Sequence, residues 1–124
     1  MSGGNMKKRE NGATAIAPAA KTSTSNGSSV DLAGYQSALV VLVVGTITDG
    51  THTPKLQECD DNSSWADVAA GDLEGSFVAL TSSTNQYIGY KGHRRYVRVV
   101  VTVSGATTGG VYGAAVIKGQ AQQA

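Results

Sequence analysis

The chain has 124 residues, 40% of them hydrophobic and only 15% charged, with a formal net charge of +1 at pH 7. That length holds one domain with one modest core, and the near-zero charge argues against a general nucleic-acid binder, which needs a concentrated basic surface to displace counterions from phosphates. A lone cysteine, Cys59, excludes an intramolecular disulfide and a cysteine-based zinc set. The charged share falls below the ~25% of an average soluble domain. A small core under a weakly charged surface points to a domain that partners help to stabilise.

Residues 1–34 differ from the rest. Ser2-Gly3-Gly4-Asn5, Asn11-Gly12 and the run from Lys21 to Ser29 lack the large apolar side chains that offset the entropy of ordering. Only Ala13 to Ala20 is mildly apolar, and Pro18 discourages a helix through it. The expectation is an extended, low-complexity N-terminal arm, either without fixed structure or ordered by lying on a neighbouring subunit. The short basic clusters Lys7-Lys8-Arg9 and His93-Arg94-Arg95 read as solvated charge. No apolar stretch of signal-peptide length accompanies the first cluster, and the longest apolar run, Ala38 to Val44, is too short to span a bilayer. The chain is therefore expected to be made in a cytoplasm, with no membrane partner.

From residue 35 to 119 the pattern is that of strands separated by turns. Ser37 to Ile47 is apolar at both odd and even positions, as in a central strand or one that a partner covers. Thr48-Asp49-Gly50 makes a turn, and Pro54 to Cys59 a strand whose first position tolerates the missing proline donor. Asp60 to Ser64 forms a loop, followed by short strands over 65–68, 75–80 and 86–90. Between Arg94 and Val103 the valines at 97, 99, 101 and 103 share one face, while Tyr96, Arg98, Val100 and Thr102 share the other. This period of two, rich in β-branched residues, is the clearest strand in the chain. A Gly- and Thr-rich turn over 104–110 leads to a last strand from Val111 to about Lys118, and 120–124 is a polar tail. Seven or eight such strands predict an all-β protein, a single antiparallel β-sandwich of jelly-roll-like type.

No catalytic constellation stands out. Asp60-Asp61-Asn62, with Asp67 and Asp72 nearby, has oxygen ligands for Ca²⁺ but lacks the EF-hand spacing, and short Asx clusters are ordinary turn formers. Trp65, with Tyr87 and Tyr90, has the chemistry of a sugar-stacking platform, although a sole tryptophan in a small sandwich is first expected in the core. His52 and His93 lie in or beside turns, where exposure is the default. No base is placed by any motif next to Cys59. The chain is expected not to be an enzyme and to bind no cofactor or metal. Arg98 shares a face with Tyr96, an arrangement suited to an interface ion pair or guanidinium stacking.

The segments Ala13 to Ala20, Val30-Asp31-Leu32-Ala33-Gly34-Tyr35, Val44 to Thr53, Gln57-Glu58 and Arg94-Arg95-Tyr96-Val97-Arg98-Val99 together resemble a family of small proteins encoded among the virion genes of tailed bacteriophages. A common form of that family has Ser at the position of Cys59, so the resemblance implies no cysteine chemistry. It implies a capsid decoration (cement) protein on the outer surface of the head, stabilising the shell through its sandwich and its arm. The alternatives are a head–tail joining or tail component, and a β-sandwich carbohydrate-binding module that adheres to the host. The implied partners are the major capsid protein and sister copies, as homotrimers at threefold positions, with no direct contact to nucleic acid. Ile16, Pro18, Tyr35, Arg94, Arg95, Tyr96 and Arg98 are the candidate partner-contact residues.

Overall fold

Alternating side chains decide where the strands go, and a computed structural model, which describes residues 11–121, shows two antiparallel sheets closing face to face. The strands are β1 (Asn11–Lys21), β2 (Ser25–Asn26), β3 (Val30–Asp31), β4 (Tyr35–Ile47), β5 (Thr51–Cys59), β6 (Ala66–Asp67), β7 (Leu73–Glu74), β8 (Gln86–Tyr90), β9 (Tyr96–Ser104) and β10 (Gly110–Ala121). One turn of 3-10 helix, Ala70–Asp72, precedes β7. Sheet A has the order β1-β10-β4-β8-β7, and sheet B the order β2-β9-β5-β6, with β3 also paired to β9. The expected all-β sandwich is what the chain forms.

The core lies between the sheets. Sheet A contributes Val40, Leu42, Tyr112 and Val116, and sheet B contributes Leu56, Val97, Val99 and Val101, all essentially inaccessible to solvent. These are the even positions of β4, β5 and β10 and the odd positions of β9, so strand periodicity alone sorts them inward. Gly109 has φ +82°, and an added Cβ would collide with the carbonyl oxygen of Lys21, so only glycine fits where β10 begins beside the end of β1.

Several expectations are corrected. Residues 11–31 are not a separate arm. β1 pairs along β10 from Asn11↔Lys118 to Lys21↔Gly110, with register shifts around Ile16, and its Ala15 and Ile16 are buried in the core. β2 and β3 lie on β9. The arm was hard to see because its strand is built from Ala, Thr, Gly and Pro, and it buries little per residue. The part of the expected arm over 1–10 and the tail beyond Ala121 lie outside the described residues. The 75–80 segment is not a strand. Its main chain is held instead by the buried Gln86 side chain, whose Nε2 donates to the Val78 carbonyl at 2.9 Å and whose Oε1 accepts from the Val78 N–H at 3.1 Å. Leu80 still plugs the core, its N–H donating to the His52 carbonyl.

β5 begins at Thr51 rather than Pro54, which carries His52 into the interior instead of leaving it on a turn. Pro54 is tolerated there because β6 pairs with β5 only at Gln57 and Glu58, so no strand on that side needs a donor from the proline. Trp65 is not in the core. It lies half-buried outside sheet B, with the Arg98 guanidinium 4.6 Å from its ring centre.

Candidate functional site

The feature that departs most from an ordinary solvated sandwich is the outer face of sheet A. Antiparallel sheets that face water normally turn polar residues outward. Here the outward positions of β4 between 37 and 45 are Ser37, Leu39, Val41, Val43 and Gly45, those of β10 are Val111, Gly113, Ala115, Ile117 and Gly119, and those of β8 are Tyr87 and Gly89. None of these side chains is charged. Val43 is 55% exposed, Tyr87 60%, Val111 45%, and Leu39 and Ile117 37% each.

Register fixes how they lie. Ile117, Leu39 and Gly89 form one row across the sheet, and Ala115, Val41 and Tyr87 the next. Gly113 stands opposite Val43, and β1 covers it from the side. An added Cβ there would press on Pro18 and on the Ile16 carbonyl. The result is a patch of branched residues along β4 and at Val111 and Ile117 on β10, with Ala115 lower between them, Pro18 packed over Gly113, and a projecting Tyr87 ring on β8. Glu74, on the short marginal strand β7, abuts Gly89 and borders the patch with charge. Sheet B is different on its outer side: Lys55, Gln57, Asp67, Arg98 and Trp65 make a polar surface, with Gln57 bonded to both Arg98 and Asp67.

A second concentration of polar chemistry lies at the end of the sandwich where β4 starts. Arg95 makes a two-pronged contact with Asp31, at 3.1 and 3.0 Å. Arg94 pairs with Asp60 at 2.5 Å, and the Arg95 N–H adds a bond to the same carboxylate. The partner guanidinium is the first cause holding Asp31 and Asp60 below the usual carboxylate range. The two arginines are pushed up in return. The Tyr90 hydroxyl donates to Glu58 at 2.6 Å and accepts from the Arg94 N–H, and burial, aided by Glu58, drives its pKa upward. An open hollow of about 570 Å³ is lined here by Tyr35, Asp60, Tyr90, His93, Arg94 and Arg95 among others. Of its charged groups, Asp60 is paired with Arg94, and Arg95 with Asp31.

The candidate contact residues separate into distinct roles. Ile16 is buried in the chain's own core, whereas Pro18 is exposed at the edge of the apolar face. Tyr35 is half-buried under the Lys118 ammonium, 5.0 Å from the ring centre. Arg94 and Arg95 belong to the paired cluster, Arg95 also lying over Tyr96, and Arg98 stacks on Trp65. The structure therefore does not bring these seven residues together.

The aromatic platform is not assembled either, because Trp65 lies outside sheet B, Tyr87 outside sheet A, and Tyr90 is buried. Asp61 caps its own turn, accepting from the N–H groups of Ser63 and Ser64. Among the described residues no group of three or more His, Cys, Asp and Glu is placed to hold a metal ion, and no helix is long and apolar enough to cross a membrane. Leu39 and Val43 were visible in the sequence as the second apolar face of one strand. Tyr87, Val111 and Ile117 join them only through the pairing register.

No protein-family model matches the chain, and no curated protein does. Solved structures do. The SPBc2 prophage-derived protein YomS aligns over 88% of this chain and 92% of its own, with a TM-score of 0.56 and 17% identity. A structure from work on Bacillus endospore appendages, described as a family of disulfide-linked pili, aligns over 91% of this chain and 88% of its own, with a TM-score of 0.50 and 12% identity. A chain of infectious bursal disease virus, Gx strain, aligns over 94% of this chain but only 33% of its own, with a TM-score of 0.47 and 12% identity. The likenesses to the first two are likenesses of fold.

Proposed function

We propose that this chain is a non-enzymatic structural protein of a phage virion, and specifically a decoration protein that binds the outer surface of the capsid and stabilises the shell. The observation that carries the reading is the uncharged, apolar outer face of sheet A. A face of that kind on a domain of this size is stable in water only at a cost, and covering it gains roughly 25 cal/mol per Å² of apolar area. Contacts repeated over many copies then add up to a large stabilisation of a shell, even where each is weak. The sequence resemblance to tailed-phage virion proteins supports the same reading, as does a fold shared with a prophage-derived protein.

The major capsid protein and sister copies are the partners on this reading. On this reading the apolar outer face of sheet A is the surface that meets them. Antibody labelling of purified virions, followed by a cryo-EM map, tests it. The expected result is density for this sandwich on the outside of the head. Density at the neck or tail would assign it to the head–tail apparatus instead, and absence from particles would end the virion reading.

A further inference from the structure

We propose that the outer side of sheet B carries a carboxylate receptor, the Arg98 guanidinium, which anchors an acidic side chain of a protein partner. The inference goes beyond the virion reading, because it concerns the sheet opposite the apolar face and a contact made from the other side of the chain.

Arg98 projects outward from the middle of β9, opposite Gln57 of β5. Its guanidinium is fixed from two directions. The Trp65 ring centre lies 4.6 Å from its central carbon, and its Nε donates to Gln57 Oε1 at 2.9 Å. Gln57 is held in turn: its Nε2 donates to Asp67 at 2.9 Å, and Asp67 pairs with Lys55 at 3.1 Å. The far side of the fork is left over. Among the described residues neither terminal nitrogen of Arg98 has a hydrogen-bond or carboxylate partner, whereas Lys55, Arg94 and Arg95 each face a carboxylate. No buried side-chain nitrogen among those residues lacks a partner, so both terminal nitrogens reach solvent. A guanidinium already fixed in one orientation loses little freedom when an anion joins it.

Charge selects the anion. Lys55 and Asp67 offset one another, which leaves Arg98 as a single uncompensated positive charge on this face. A carboxylate brings one negative charge and two oxygens spaced for paired N–H groups. A phosphomonoester brings roughly 1.5 to 2 negative charges and would lie near Asp67 with no second free cation. A nucleic-acid strand needs a row of cations, and this face offers one. Shape selects the partner. Arg98 and Trp65 lie outside the hollow lined by Arg94 and Arg95, on the open face of the sheet. An isolated carboxylate binds there only weakly, and a protein surface closing around it supplies the rest. Tyr96, two positions along β9, joins Trp65 and Arg98 to give the residue types that dominate protein interfaces. An acidic glycan would use the Trp65 ring as its platform, and Arg98 already occupies a face of that ring.

Trp65 is the sole tryptophan, so its fluorescence reports on the fork directly. The full chain is titrated at millimolar concentrations with a blocked triglutamate peptide, the matching triglutamine peptide and trigalacturonate. The expected result is a saturable change in emission with triglutamate alone, weakening as salt is raised. Calorimetry then gives the affinities of the variants, whose Trp65 surroundings differ. Arg98→Gln is expected to weaken triglutamate binding by about tenfold or more, and Arg98→Lys, which keeps the charge without the fork, by nearly as much. Arg94→Gln, in the paired cluster, is expected to leave it unchanged. Circular dichroism checks each fold, and if Arg98→Gln does not fold, Arg98→Lys carries the comparison.

Absence of triglutamate binding overturns the receptor. So does binding that survives Arg98→Gln, that is as tight in Arg98→Lys as in the parent, or that is lost in Arg94→Gln. Trigalacturonate binding more tightly than the peptide would give the fork to an acidic glycan and overturn the protein partner. Each of these results leaves the virion reading as it stands, since that reading is decided by the density on particles.

Discussion

His52 and Tyr112 are polar side chains in the driest part of the molecule, and each makes the other tolerable. Their rings meet edge to face, 5.3 Å between centroids and 77° between planes. The Nε2 of His52 faces the backbone carbonyl of Asp49 at 3.0 Å, an acceptor only, so this nitrogen carries the proton. Nδ1 is then an acceptor, and the Tyr112 hydroxyl donates to it at 2.9 Å. Burial also pushes the Tyr112 phenol up to about 12, which keeps it a donor at any ordinary pH. Tyr112→Phe keeps the ring and removes the donor, leaving Nδ1 buried without a partner. The expected loss is about 1–3 kcal/mol, the desolvation penalty of one orphaned group. It is read as a lower urea midpoint at unchanged slope. A variant as stable as the parent would mean that the bond contributes nothing. The sequence did not reveal this pair: a histidine between two threonines beside a turn has the pattern of an exposed residue, and only the earlier start of β5 turns it inward.

At the scale of elements, legibility followed the density of branched apolar residues. β4, β8, β9 and β10 were readable because Val, Leu, Ile and Tyr alternate along them with few interruptions, and their observed ends differ little from the expected ones. β1 was not, because Ala and Thr give no contrast between faces, and the irregularities on either side of Ile16 shift its alternation. The 75–80 segment failed in the opposite direction. Phe77-Val78-Ala79-Leu80 has strand composition, but Gln86 supplies through its side chain the hydrogen bonds a neighbouring strand would have made. The consequence for β1 is measurable. Ile16 is 5% exposed and packs in the core, so Ile16→Ala should cost about 2–4 kcal/mol of folding stability, as for other buried branched residues. Were β1 an arm laid on a neighbour, the same change would weaken association and leave the unfolding midpoint of the isolated chain in place. Removing residues 1–21 should go further. It uncovers the edge of β10, whose unpaired backbone groups invite edge-to-edge aggregation.

Across the whole molecule, the apolar contacts occupy the sandwich and one outer face, while carboxylates secure the loops at both ends. Asp49 accepts from the N–H groups of Thr107, Thr108 and Gly109, fixing the turn into β10. At the other end Asp31 and Asp60 hold the arginines that precede β9, and on the side of sheet B Asp67 is held by Gln57 and Lys55. The sequence suggested the apolar face of β4 because both its faces are hydrophobic, but the full patch needed the register of three strands, which composition does not encode. The same holds for the carboxylates: Asp49 lies 58 residues before its first partner, Thr107.

Five aspartates, Asp31, Asp49, Asp60, Asp61 and Asp67, are held below the ordinary value of 3.8, chiefly by the hydrogen bonds that folding supplies. A carboxylate whose folded pKa is depressed contributes stability that is fully present above its unfolded pKa and disappears as the pH falls through the folded one. Stability should therefore hold from neutrality down to about pH 5 and then decline steadily toward pH 2 as these groups protonate. Asp49→Asn, which keeps one acceptor but no charge, should be less stable than the parent at pH 7 and should lose less between pH 5 and pH 2. Urea midpoints measured across that range give both slopes. Parallel slopes for parent and variant would mean that the Asp49 charge does not secure the turn and that the acid sensitivity lies with the other four.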